Sequence, residues 1–521
     1  MASTIDIETQ DGTVRGTRER GVGRWRSIPY AAPPVGELRL RAPQPVTPWS
    51  GVLDTTRFRN AAMQNKATAR IGLRTVQPVS EDALTINVTA PLRPATAPRP
   101  VMVFIHGGAY IFGTSAMGLY GGRQLALRGD LIVVSMNYRL GAFGYGDFSR
   151  YSTAERPFDS NCGLRDQVAA LEWVQRNIAA FGGDPDNVTI FGESAGAAAV
   201  VTLMATPAAK DLFHAAIAES SPADWAHGPA AADEFAAQCI ELLGATEQTA
   251  AETLANCDPE QLRRAGAKAI RFAMTDRPGY MPAVPTVDGN YLPTTPIEAM
   301  AAGTAHRVPL IIGTNRDEAT LFSRRNKPSE QLPTCPDRID RYFDGSDPDI
   351  KARVLAAYSG YPAPGTAINL GGDATFLRPT LAACDAHSAY APTYNYRYDY
   401  APKLLQRMGF GATHASEMLA VFGVVDTPLG RALTAGGSRR GLRLVTEQVQ
   451  AQWISFARHG RPLPSWPQYT TQTRRTLVFD TPTRVAHDLD RARRVAWRDV
   501  TGPHEVAGIS DGFSDEVEKA I

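Results

Sequence analysis

The chain has 521 residues, with 54 Lys plus Arg against 53 Asp plus Glu and a formal charge of +1. With 43% hydrophobic and 21% charged residues it has the composition of an ordinary globular protein, long enough to bury a large core without disulfides or metal. The near-neutral balance argues against a nucleic-acid partner: arginine far outnumbers lysine, but the arginines are scattered, and the cluster DRARR at 490–494 reads as a solvated face.

The opening MASTIDIETQ lacks the basic start and apolar core of a secretory signal. Apolar runs such as LIVVSM and AGAAAVVTLMA fall short of the ~18 residues needed to cross a bilayer, so no membrane contact is expected. Five cysteines (Cys162, Cys239, Cys257, Cys335, Cys384) are widely spaced and form no CxxC pair, which suits neither a zinc site nor a disulfide framework. These features predict a cytoplasmic protein.

After the Pro-rich stretch PLRPATAPRP, PVMVFIH (100–106) reads as a buried strand followed by a Gly-rich loop, and LIVVSMNY (131–138) as a second strand. Leu164, Val168, Leu171, Val174, Ile178 and Phe181 recur at spacings of three and four, which predicts a helix stopped by Gly182 and Gly183, with DPDN making a turn. VTIFGE (188–193) is a third strand and AGAAAVVTLMA a second helix. VPLIIGT (308–314) and TYNYRYDY (393–400) add further strands. Such alternation predicts an α/β fold, a mostly parallel sheet with helices on both faces. One large domain is expected over 1–507, with helical insertions around 230–275 and 330–390 over the C-terminal edge of the sheet. Residues 508–521 read as a mobile acidic tail.

FGESAG at 191–196 contains G-x-S-x-G, with Ser194 between a β-branched strand and an Ala-rich helix. A serine at so sharp a strand-to-helix turn takes strained backbone angles, and only very small residues fit two positions to either side. The bland alternative is a serine N-cap at a small-residue turn. A serine nucleophile needs a base, and the base needs an acid; with this kind of elbow the chain order is Ser, acid, His. Asp317 and Glu318, just past VPLIIGT, are equal candidates for the acid on their residues alone. Of the later histidines, His387 lies in a helix-like run, His459 at a helix end, and His487 and His504 in polar segments. His414, in a Gly-containing loop entering an apolar helix, is the favoured base. Acyl transfer also needs amides aimed at the developing oxyanion, worth roughly 3 kcal/mol per donor. HGGAY (106–110) follows a strand directly, so Gly108 and Ala109, with Ala195 after the serine, are the candidate donors, and Gly107 adjoins them.

These residues resemble the type-B carboxylesterase family, the cholinesterase-like branch of the α/β hydrolases. SIPYAAPPVGELRLRAPQPVTPW, SEDALTINV, NYRLGAFGY, the long block from Gly163 to Gly196, PTVDGNYLP, GTNRDEATLF, HASEMLAVFG and FARHGRPLPSWPQY follow in the family's order. Within the family, the bacterial esterases that hydrolyse p-nitrobenzyl and related esters look most similar. The resemblance implies an α/β-hydrolase fold with Ser194 as nucleophile, Glu318 rather than Asp317 as acid, and His414 as base. It places Gly108, Ala109 and Ala195 in the oxyanion hole and Glu193 beside the nucleophile. The family often bridges two cysteines where this chain has Ala62 and Ala83. Cys257 aligns with a second family disulfide whose partner position is Ala245, leaving a pairing with Cys239 as an unfavoured substitute. Between Trp49 and Ser80 the one aromatic is Phe58, so the tryptophan that holds a quaternary ammonium in cholinesterases has no counterpart.

The resulting expectation is a serine carboxylic-ester hydrolase acting on small-molecule, apolar esters with no metal or organic cofactor. Tyr110, Phe112, Trp225, Phe322, Phe410 and Phe422 are candidate pocket-lining residues. An amide or carbamate hydrolase on the same triad, and a catalytically inactive binding relative, are the alternatives. The second usually lacks the nucleophile that this chain retains.

Overall fold

The apolar runs read as strands lie side by side in one mixed sheet, in a computed structural model that describes residues 3–68, 77–324 and 327–506. The expected acidic tail lies outside the described residues. In chain order the strands are β1 (Thr4–Thr9), β2 (Gly12–Glu19), β3 (Val22–Pro29), β4 (Val52–Asp54), β5 (Thr85–Pro91), β6 (Arg99–Ile105) and β7 (Ile132–Met136). They continue with β8 (Gly183–Glu193), β9 (Ala215–Glu219), β10 (Leu310–Asn315), β11 (Thr393–Tyr398), β12 (Arg475–Phe479) and β13 (Arg484–His487). Their spatial order is β1-β2-β3-β5-β7-β6-β8-β9-β10-β11-β12-β13, with β4 on β2. Pairing is parallel from β7 through β12 and antiparallel among β1, β2, β3, β5 and β7 and between β12 and β13.

Both faces of this sheet are covered, which is why its central strands are apolar at consecutive positions rather than at alternate ones. Along β6, Val101, Val103 and Ile105 share a cluster with Leu171, Trp173 and Val174 of the helix Cys162–Asn177 and with Ala197 and Val200 of the helix Ala195–Met204. Met102 and Phe104 of the same strand pack instead with Val449, Trp453 and Phe456 of the helix Arg439–His459.

The helix read from spacing at 164–181 runs from Cys162, ends in a 3₁₀ turn at Ile178–Phe181, and stops at Gly182 (φ 83°). The turn at DPDN takes an unexpected form. It sits inside β8, where Arg99 pairs with Gly183 and Val101 with Val188, so the intervening residues loop out of the ladder. Helices occupy Pro229–Leu242, Ala250–Asn256 and Pro259–Asp276 between β9 and β10, and four more lie between Pro336 and His387 before β11.

All five cysteines are free, Cys239 and Cys257 included. No helix among the described residues is long and apolar enough to cross a membrane. Ala62 and Ala83 are buried. Near them a polar knot ties the chain: buried Arg39 makes a bidentate pair with Glu81 (2.7 and 2.8 Å) and donates to the carbonyls of Leu254, Ala255 and Cys257.

A second buried pair anchors the loop after β7 to the helix behind it. Arg139 meets Asp166 through Nε (2.8 Å) and Nη2 (2.7 Å), and its backbone amide donates to the same carboxylate at 3.0 Å. Asp166→Ala leaves that guanidinium buried without a counter-charge and should cost about 3–5 kcal/mol. Urea unfolding of the variant measures this, and an unchanged midpoint would show that the pair does not hold the loop.

Candidate active site

Ser194 sits between β8 and the helix Ala195–Met204 with φ 60° and ψ −127°, a conformation rarely open to a residue with a Cβ. Its amide donates to the Glu219 carbonyl at the end of β9 (2.9 Å), which fixes the turn against the neighbouring strand. The helix lies so close to β6 that a Cβ on Gly196 would come within 2.1 Å of the Ile105 carbonyl oxygen. The small residues of GESAG are therefore a packing requirement of the elbow.

Two adjacent acids that the residues alone left equal are separated by the structure. Asp317 turns away, pairing with Arg316 at 2.9 Å and accepting from the Ala412 amide at 2.8 Å. Glu318, buried on the turn after β10, accepts from the Asn315 amide through Oε1 (2.7 Å) and from His414 Nδ1 through Oε2 (2.6 Å). That bond sets the imidazole tautomer, with Nδ1 as the donor and Nε2 as the other ring nitrogen, buried in the site. Nε2 lies 3.0 Å from Glu193 Oε1, out of hydrogen-bond alignment. No hydrogen bond joins Nε2 to Ser194 here, a contact that in unliganded serine hydrolases often tightens only with substrate.

The glycine loop crosses the elbow. A Cβ on Gly107 would meet the Glu193 carbonyl at 2.5 Å and the Ser194 Cβ at 3.0 Å, so the two segments touch through backbone. Gly108 (φ 117°), Ala109 (φ 53°) and Tyr110 (φ 59°) all take left-handed conformations that turn the loop sharply, and the Gly108 carbonyl accepts from the Ile111 and Phe112 amides at 3.0 Å. The amides of Gly108 and Ala109 make no hydrogen bond among the described residues. Ala195 begins its helix at the positive end of the dipole. Buried His106 supports the loop by donating to the Gly107 carbonyl (2.8 Å), and burial lowers its pKa to about 4, so it stays neutral.

Charge is concentrated around His414. Burial by itself would lower the imidazole pKa, but the carboxylates of Glu193 and Glu318 outweigh it and raise the value to about 9. Burial pushes Glu193 up to about 7 against the pull of His414. Behind them lie two acids that sequence reasoning missed. Glu417 accepts from Ser220 Oγ (3.0 Å) and from Asn315, and burial, with Glu193 and Glu318 nearby, raises it to about 8. Glu219 accepts from Trp453 Nε1 (2.7 Å), and burial drives it well above the carboxylate range. The available signals were Glu219 ending a buried strand in register with Glu193, and Glu417 three residues past His414.

A cavity of about 310 Å³ brings Gly107, Gly108, Ala109, Glu193, Ser194 and His414 together. Phe112, Trp225, Phe322 and Phe376 also line it, and the rings of Phe376 and Phe322 lie 4.5 and 5.2 Å from the imidazole. Three expected lining residues do not. Tyr110 is fully buried against Tyr145, Phe422 packs on Phe104 and Phe191 across the sheet, and Phe410 stacks under Arg324. Among the described residues no group of His, Cys, Asp and Glu is arranged to hold a metal ion.

A parallel sheet with a serine on its strand-to-helix elbow, an acid after a later strand and a histidine loop beyond defines the α/β-hydrolase fold. The fold is shared with a solved PNB esterase at TM-score 0.85 and 35% identity, covering 96% of this chain and all of that one. The sequence profile described as "Carboxylesterase family" matches residues 3–497. A para-nitrobenzyl esterase of Bacillus subtilis is 38% identical over 94% of this chain and 97% of its own length. A fumonisin B1 esterase of Sphingopyxis macrogoltabida is 33% identical over 88% of this chain and 84% of its own. The chain belongs to the carboxylesterase family and is a carboxylic ester hydrolase.

Because Gly196 meets backbone rather than a flexible side chain, Gly196→Ala should push the helix off β6, at about 1–3 kcal/mol of stability. Urea unfolding and ester turnover should fall together. A variant as stable and as active as the parent would show that the contact is not needed.

Proposed function

We propose that the protein hydrolyses small to medium apolar carboxylic esters through Ser194, His414 and Glu318, with no metal or organic cofactor. The observation that carries this reading is the 2.6 Å bond from His414 Nδ1 to buried Glu318, with His414 lining the same cavity as strained Ser194. His414 Nε2 takes the Ser194 proton as Oγ attacks the ester carbonyl. The oxyanion is received by the amides of Gly108, Ala109 and Ala195. The imidazolium then protonates the leaving alcohol, and water repeats the sequence on the acyl-enzyme to release the acid. Glu193 and Gly107 shape the site beside the nucleophile. The aromatic and aliphatic lining supports apolar esters, and para-nitrobenzyl and p-nitrophenyl esters are the first substrates to try. Residues 1–507 act as one catalytic domain in this reading. Five unpaired thiols and two alanines at a family disulfide support a cytoplasmic setting.

Ser194→Ala should keep the fold and lower p-nitrophenyl ester turnover by a factor on the order of 10⁶. Intact-mass spectrometry after a fluorophosphonate should show one adduct on the parent and none on the variant. An adduct that persists in Ser194→Ala would place the nucleophile elsewhere.

His414 serves as base only when neutral, so kcat/KM should rise with pH, with a midpoint above the ordinary histidine value of 6.5 and towards about 9. Glu193, with its own value near 7, is ionised over the upper part of that limb, where it favours the imidazolium. Glu193→Gln removes that charge and should move the limb to lower pH. A midpoint that does not move in the variant would show that another group titrates.

A further inference from the structure

A second cavity of about 170 Å³ adjoins the one that holds Ser194, and Phe112 is the residue common to both linings. Met63, Ile111, Phe143 and Ile270 give the second cavity apolar walls. Arg263 also lines it, but its guanidinium is already met by Glu260 through two bonds of 2.7 Å, so its charge calls for no anionic ligand. An apolar occupant fits these walls.

The wall between the cavities is fixed in its backbone and free in its side chain. The Phe112 amide donates to the Gly108 carbonyl at 3.0 Å. Gln64 clamps the other side of the loop, accepting from the Gly113 amide (3.0 Å) and donating to the Gly113 carbonyl (2.7 Å). Phe112 itself is 39% exposed, which leaves its ring room to turn. A rotamer change there needs no movement of the glycine loop.

At about 310 Å³ the Ser194 cavity stands at the low end of the ~300–1,000 Å³ typical of small-molecule sites. We infer that the second cavity is a subsite for the distal end of a linear apolar chain of the ester, and that Phe112 is the partition that sets how much chain the protein accepts. This rests on the reading of the Ser194 cavity as the ester site. Short esters fill the first cavity alone, and longer ones displace the Phe112 ring and continue into the second.

The test is a ratio of kcat/KM values, long chain over short, measured on p-nitrophenyl esters from acetate to dodecanoate and on acetates of linear alcohols of the same lengths. Each methylene newly buried is worth about fourfold. Phe112→Ala joins the cavities and should raise the octanoate-to-acetate ratio, or its alcohol-side equivalent, by about tenfold or more. Ala267 lines the second cavity from an exposed position on the helix Pro259–Asp276, so Ala267→Trp should fill it without disturbing the core. That variant should lower the ratio in the parent and cancel the gain in Phe112→Ala. Ratios unmoved by both substitutions in both ester series, with hydrolysis intact, would overturn the subsite. A parent that takes no fluorophosphonate adduct and cleaves no ester would instead remove the reading on which it rests. Should Phe112→Ala fail to fold, Ala267→Trp decides the matter alone.

Discussion

Strand, serine and helix meet at a backbone conformation that an L-residue holds at a cost of about 1–3 kcal/mol, and the surroundings of Ser194 are arranged so that it has no relaxed alternative. Its amide is bonded to the end of β9, Ser220 just past that strand is bonded in turn to Gly313 of β10, and the helix behind it is pressed onto the Ile105 carbonyl. Each restraint comes from a different strand of the parallel run. The elbow is therefore as rigid as the sheet, and the glycine loop, touching it through Gly107, inherits that rigidity. Gly108 and Ala109 line the same cavity as Ser194, and their amides make no hydrogen bond among the described residues.

The electrostatics follow from this crowding. Glu193 and Glu219 end adjacent parallel strands in register, and Glu318 and Glu417 reach the same place from the loops beyond β10 and around His414. Four buried carboxyl groups cannot all be ionised in one apolar setting. Two of them, Glu219 and Glu417, are raised by burial, Glu417 to about 8, and bond Trp453, Ser220 and Asn315. The carboxylates of Glu193 and Glu318 lie beside the imidazole, where they favour its cationic form.

The strands and helices at the centre of the sheet were legible because burial on both faces writes continuous apolar runs, and the elbow because its steric demands write a short motif. Which of two adjacent acids meets His414 was not legible from residues alone. Asp317 and Glu318 are neighbours of equal chemistry, and only the turn after β10, with Arg316 and Ala412 engaging one and Asn315 the other, tells them apart; resemblance to the family supplied what periodicity could not. Tyr110, Phe410 and Phe422 show the opposite limit: an aromatic near a motif faces the core or a surface cation as readily as the cavity, since composition carries no direction. β9 went unread because AAIAE is short and ends in an acid, and its meaning as a strand comes from its neighbours β8 and β10. The turn at DPDN, read as the end of one element, became an outward loop within the next because the ladder resumes on both sides of it.

The knot around Arg39 has a bearing on how this part of the chain is held together. Relatives of the family often join the segments near Ala62 and Ala83 by a covalent bridge, which must be made by an oxidant and made between the right partners. Here the same neighbourhood is joined to the insertion after β9 by a guanidinium, one carboxylate and three carbonyl groups, and five thiols stand apart. In this structure the joint is entirely non-covalent, so its strength answers to the burial of one charge pair and not to the redox potential around it.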